Sequence, residues 1–178
     1  MTNEHRNPEV GAAFALMAAR QLLYRYCFAV DMGSLDEVMS LFAPECDLVV
    51  EPGGVYTGRA AVQKWYAALV AGRMEVLRHL ASNQVIEIDG ERAHSKSYWD
   101  AVGDLQGEAM VAAGFYEDDL WKIDGEWKYA KKIIRIDYMA PLREGWGGKH
   151  RIKCRLIRGV DVDTARSEER RVGKECRL

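Results

Sequence analysis

The chain has 178 residues, of which 48% are apolar and 29% charged, with a formal net charge of -2. That length suits one domain with a substantial core, and the near-neutral balance excludes the basic footprint of a nucleic-acid or anionic-membrane binder. No run reaches the roughly 20 apolar residues of a membrane span, and the first residues, MTNEHRNPEVG, do not read as a secretion signal, so a cytoplasmic protein is expected.

Between Ala12 and Val30, Leu16, Ala19, Leu23, Tyr26, Cys27 and Val30 recur at three- and four-residue steps, the period of an amphipathic helix. Asp31 follows Cys27 by four residues and so continues the buried face. Gly33-Ser34 reads as a stop and a new N-cap, with a short second helix over Leu35 to Phe42 ahead of Pro44. Cys46 to Val50 reads as a strand closed by the turn Pro52-Gly53-Gly54, and Arg59 to Ala71 as a third helix with the stripe Ala61, Trp65, Ala68 and Leu69. Residues before Ala12 are read as an extension.

After Gly72 the pattern changes to four long strands, about Met74 to Ile88, Ala93 to Val102, Glu108 to Ile123 and Glu126 to Tyr138. They are separated by Asp89-Gly90, Gly103-Asp104 and Asp124-Gly125, turn pairs that make antiparallel neighbours. Three helices followed by a curled meander predict an α+β domain over residues 12–142, with a pocket between the layers. Residues 143–164 are read as an extension or lid carrying Trp146 and Gly145 to Gly148. Residues 165–178 are read as a disordered tail, in which SEERRVGKECR looks like vector read-through.

The four cysteines, Cys27, Cys46, Cys154 and Cys176, show no zinc or disulfide spacing, and the scattered histidines supply no ligand set. Neither a metal nor a cofactor is called for. His79, in RHLASNQVIEIDG, is instead a candidate general base, and Asp31 its orienting carboxylate if the two meet in the fold. A lone histidine is more often structural, so the pairing decides. Arg135 sits in IIRIDY, where alternation separates it from Ile134 and Ile136, leaving it either inward at the site or outward beside Asp137. Lys132, in a Lys-Lys pair, reads first as a solvated charge. Asn83 reads as a strand-bulge residue or a substrate contact. Trp65, Trp99, Phe115 and Trp121 read as core or interface aromatics that a pocket could also use.

The order of several strings is similar to a known family. They are the helix ending Tyr26-Cys27-Phe28-Ala29-Val30-Asp31, Leu41-Phe42-Ala43-Pro44, Tyr56-Thr57-Gly58, His79 with Ser82-Asn83, and Asp124-Gly125-Glu126-Trp127 running on to Lys132. Together they resemble the SnoaL-like group of the nuclear-transport-factor-2-like superfamily, a cone-shaped α+β barrel enclosing a pocket. Asp31 and His79 resemble the acid-histidine dyad of its dehydratase and dehydrochlorinase branch, which includes scytalone dehydratase and bile-acid 7α-dehydratase. That resemblance implies a cofactor-independent lyase acting on a small hydrophobic cyclic hydroxy-carbonyl compound, steroid or polyketide-like. Tyr26 matches a tyrosine of the bile-acid enzyme and Arg135 its arginine, both as hydrogen-bond donors to developing charge. Lys132 falls where the dehydrochlorinase has its arginine, while the second catalytic histidine of scytalone dehydratase has no evident match, His94 being the only nearby candidate. Asn83, Trp65, Trp99, Phe115, Lys132 and Tyr138 are the expected substrate contacts. A homo-oligomer, with a trimer favoured, is expected with no nucleic-acid or membrane partner. An isomerase or cyclase using the same dyad, and a non-catalytic small-ligand binder or oxygenase small subunit, stay open beside the lyase.

Overall fold

A computed structural model describes residues 8–72, 76–105 and 107–144. The first helix, α1, runs from Pro8 to Met32 and buries Ala19, Leu22, Leu23, Tyr26, Cys27 and Val30 along one side. It begins earlier than its buried stripe, because nothing in Glu9 to Ala18 breaks a helix although little of that stretch touches the core. Gly33 terminates it: its N–H donates to the Ala29 carbonyl at 2.9 Å, and a Cβ there would sit 2.8 Å from that oxygen. Ser34 then caps α2 (Leu35–Ser40) in a capping box, accepting from Glu37 N at 3.2 Å and donating its own N–H to Glu37 Oε2 at 2.6 Å.

The second helix stops two residues short of the predicted Phe42, where β1 (Phe42–Glu51) begins. Arg59, opening α3 (Arg59–Ala71), explains the early change: its guanidinium donates to the carbonyls of Met39, Phe42 and Ala43 at 3.0–3.1 Å, pinning the helix end to the strand. A four-residue strand, β2 (Gly54–Thr57), pairs with β1 beyond the Pro52-Gly53 turn. It is too short to show an alternating pattern, and the sequence reading did not include it.

The remaining strands are β3 (Leu77–Asp89), β4 (Arg92–Leu105), β5 (Glu108–Ile123) and β6 (Glu126–Pro141), in the sheet order β2-β1-β6-β5-β4-β3. All neighbours are antiparallel except β1 and β6, which run parallel. The architecture is therefore three helices on a six-stranded mixed sheet, open at β2 and β3 rather than closed into a barrel. Asp124 and Gly125 both take positive φ, 51° and 84°, as a two-residue primed turn demands. The expected Gly103-Asp104 turn is displaced: β4 continues to Leu105, and Asp104 Oδ1 instead accepts from Gly107 N at 2.9 Å.

The core lies between α1, α3 and the inner face of the sheet, around Leu22, Leu23, Leu48, Val62, Tyr66, Tyr116 and Leu120. Among the described residues, no helix is long and apolar enough to cross a membrane. Most of the expected lid and the whole expected tail, with Trp146, lie outside the described residues.

Candidate active site

Asp31, in the last turn of α1, meets His79, near the start of the edge strand β3. An edge strand leaves half its backbone donors unpaired, and Asp31 uses one of them: His79 N donates to Asp31 Oδ2 at 2.8 Å. The other carboxylate oxygen accepts from His79 Nδ1 at 2.5 Å. One acid thus holds both the strand and the ring, leaving a single orientation for the imidazole. An ionised Asp31 places the ring proton on Nδ1, so Nε2 carries the free lone pair. The His79 and Asp31 side chains are only 14% and 6% exposed. A carboxylate at a helix C-terminus opposes the helix dipole, a cost that the paired ring offsets.

The sheet register orders what lies deeper. Ala81, Trp99, Gly114 and Ile136 form one row across the sheet, and Ser97, Tyr116, Ile134 and Val50 the next. His79 approaches the Trp99 ring at 5.8 Å, and Trp99 stacks on Tyr116 at 5.6 Å with a 19° interplanar angle. Gly114 makes room for the indole, since a Cβ there would come within 2.8 Å of Trp99 Cζ2 and collide with the Arg135 carbonyl. The Trp99 indole N–H is buried with no hydrogen-bond partner among the described residues.

The third row joins Ser95, Asp118, Lys132 and Leu48. Lys132 is fully buried, a correction to its reading as a solvated charge. Its ammonium donates to both oxygens of Asp118 at 3.2 Å and lies 3.9–4.4 Å from the ring centroids of Tyr26, Tyr116 and Tyr129. Burial pushes the Asp118 carboxyl up to about 6 against the pull of Lys132, and burial likewise holds the Lys132 ammonium below its ordinary range. The Cys27 thiol, one turn before Asp31, is pushed up to about 11 by burial. Asp118 was missed in the sequence because it stands inside the acidic run Glu117-Asp118-Asp119. Its parity with Tyr116 and Leu120, both buried, is the signal that finds it.

The other expected site residues divide by sheet face. Tyr26 joins the inner cluster, but its hydroxyl is hydrogen-bonded to Tyr66 at 3.0 Å and its burial is nearly complete, so it does not present a donor beside His79. Arg135 takes the outer face. There it pairs with Glu51 at 2.8 Å and Glu117 at 3.5 Å, not with Asp137, over the ring of Phe115. Phe115 packs on the half-exposed Tyr98, and alternation separates both from Trp99 and Tyr116. Arg135 and Phe115 are thus removed from the dyad. His94 is also outside, between Asp119 at 2.9 Å and Glu117 at 3.4 Å.

Asn83 adopts φ +52° in the bulge between Ser82 and Val85 of the edge strand, exposed to solvent. Trp65 packs on α3 against Tyr56 and Tyr66. Tyr138 is buried opposite Ala113, past a bulge in β6. Two cavities of about 580 and 400 Å³ both border Asp119 and Trp121, and neither is lined by Asp31 or His79. The inner space expected to be a pocket is occupied around Lys132 by aromatic rings.

A family model of the SnoaL-like domain matches residues 15–132. An uncharacterized protein of Mycobacterium tuberculosis is 25% identical over 118 residues, covering 64% of this chain and 80% of its own. Among solved structures, a candidate scytalone dehydratase from Novosphingobium aromaticivorans superposes with a TM-score of 0.70 at 21% identity, covering 82% of this chain and 97% of that one. A hexachlorocyclohexane dehydrochlorinase, LinA-type3 from Novosphingobium barchaimii, gives 0.66 at 19% identity, over 82% and 99%. At these identities the structures establish a shared architecture, the nuclear-transport-factor-2-like fold, while the domain match spans most of the described residues; the chain belongs to the SnoaL-like family.

Proposed function

We propose that the protein is a cofactor-independent lyase that removes a proton and a β-leaving group from a small hydrophobic cyclic hydroxy-carbonyl compound. The reading rests on one observation: Asp31 binds His79 through both its backbone N–H and Nδ1, leaving Nε2 as the ring nitrogen available to a substrate. Loss of water β to a carbonyl begins with removal of the α-proton, and imidazole is the side chain whose ordinary titration suits that task near neutral pH. The proton passes from carbon to Nε2, Asp31 stabilises the resulting imidazolium, and the enolate expels hydroxide, which leaves as water once protonated. General-base assistance of this kind contributes roughly 10²–10⁴-fold.

Two donors implied by the resemblance are replaced in this reading. Arg135 lies on the outer face and the Tyr26 hydroxyl is tied to Tyr66, so neither is assigned a hydrogen bond to the enolate. In this reading that role passes to Trp99, whose ring centroid lies 5.8 Å from that of His79 and whose indole N–H has no hydrogen-bond partner among the described residues. Its ring and that of Tyr116 favour a flat, apolar substrate. The fold neighbours named for dehydration and dehydrochlorination are consistent with elimination.

The test is incubation with cyclic β-hydroxy ketones while conjugated-enone absorbance is followed. Enone formation that disappears in His79→Ala supports the lyase. Exchange of the α-proton for deuterium without enone favours an isomerase using the same pair. Saturable binding with neither reaction leaves a small-ligand binder and overturns the proposal.

A further inference from the structure

The first three turns of α1 pose a physical problem. From Val10 to Ala18 the sequence is VGAAFALMA, without a charge, yet no residue of that stretch is buried. A helix apolar all round is normally enclosed. The exposure also continues past this stretch. Val10, Phe14, Met17, Tyr24 and Phe28 follow one another at steps of four, three, seven and four, with Gln21 filling the seven-residue gap, and all six are exposed. This is a heptad seam on the side opposite the buried Ala19, Leu22, Leu23 and Tyr26.

We infer that α1 is a self-association surface, pairing with α1 of a second copy of this chain in a two-fold antiparallel arrangement. Spacing argues for that occupant. With the axis at the level of residue 19, Val10 faces Phe28 of the partner subunit, Phe14 faces Tyr24 of the partner subunit and Met17 faces Gln21 of the partner subunit. Every layer then matches a large side chain to a large one, as a self-complementary interface requires. Gly11, Ala13 and Ala18 flank the seam and let the two helices approach closely. The five apolar seam side chains are 41–66% exposed, which puts on the order of 600 Å² per chain into the contact. With the flanking small residues this nears the ~800 Å² per partner of a stable interface.

The pairing has a consequence for the candidate site. Phe28 precedes Asp31 by one turn, so the apolar N-terminal turns of the partner lie beside the turn that carries the dyad's carboxylate. The test is the mass in solution, by light scattering at tens of micromolar, of the wild type, the double variant Phe14→Glu/Phe28→Glu, and Tyr98→Glu on the outer sheet face. All three positions are exposed, and circular dichroism checks that each variant folds. The expected result is an even number of chains, twice 20.1 kDa in the simplest case, with the mass halved by Phe14→Glu/Phe28→Glu and unchanged by Tyr98→Glu. A wild-type mass of one or three chains overturns the inference. So does an assembly that survives the double variant but dissociates with Tyr98→Glu, which would assign the contact to the sheet.

Discussion

Two acid-base pairs sit on the inner side of this fold, and they differ in what they leave free. Asp31 and His79 meet at the sheet edge with one ring nitrogen uncommitted among the described residues, whereas Asp118 and Lys132 are sealed under three tyrosine rings with the ammonium bonded to both carboxylate oxygens. The first arrangement can exchange a proton with a molecule arriving from outside. The second is suited to holding Tyr26, Tyr116 and Tyr129 in place, because an ammonium centred among rings is attracted to each of them. A pair of charges is thus a candidate for chemistry by its unsatisfied atom, not by its burial.

The strongest way to break this contrast is at the dyad. His79→Ala is expected to lower enone formation by roughly 10²–10⁴-fold and to cost about 1–3 kcal/mol of stability, because Asp31 is left without its ring partner, measured by initial rate beside urea unfolding. Asp31→Asn should fall in the same range, since an amide no longer imposes the Nδ1–H tautomer.

The opposite behaviour is expected of the sealed pair. Lys132→Met leaves the Asp118 carboxylate buried without its cation and should destabilise the fold by about 3–5 kcal/mol in urea unfolding. Adding Asp118→Leu should recover much of that loss, because no isolated charge then remains. Full stability in Lys132→Met alone would refute the sealed-pair description.

Next in size is Gly114→Ala. Its methyl group must displace both Trp99 and the β6 backbone at Arg135, which costs about 3 kcal/mol and also disturbs the ring beside His79. A rate loss larger than the stability loss would link the indole to the chemistry.

The pH dependence sharpens the comparison further. The folded Asp118 carboxyl keeps its proton up to about 6, while the unfolded chain releases it near 3.8. Between those values the native state binds more protons, so this residue's contribution to stability falls as pH rises. The stability difference between wild type and Asp118→Asn should shift against wild type from pH 4 to pH 6. The smallest effect is expected from Arg135→Ala, under about 1 kcal/mol with activity unchanged, because its partners are on the exposed outer face.

Much of this was legible in the chain itself. The three-four spacing of α1, the Gly33-Ser34 punctuation and the Asp124-Gly125 turn are local signals, and each produced the element expected of it. The end of β5 at Ile123 came directly from the Asp124-Gly125 turn, whereas the turn before it lies beyond the expected Gly103-Asp104. His79 and Asp31 could be nominated because their residue types limit the chemistry, but 48 residues separate them and no local pattern brings them together. Arg135 and Lys132 show the converse failure. Both are basic residues of β6 three positions apart, and opposite sheet faces make one a surface ion pair and the other a buried cation.

The sequence by itself determined the periodicities, the turns and the supply of acids, bases and aromatic rings, because these depend on neighbours within a few bonds or a helical turn. Tertiary structure alone decided which acid meets which base, which charges lose their water, and which face of α1 is left uncovered. Those outcomes depend on strand order and register, which the long-range contacts of the sheet select.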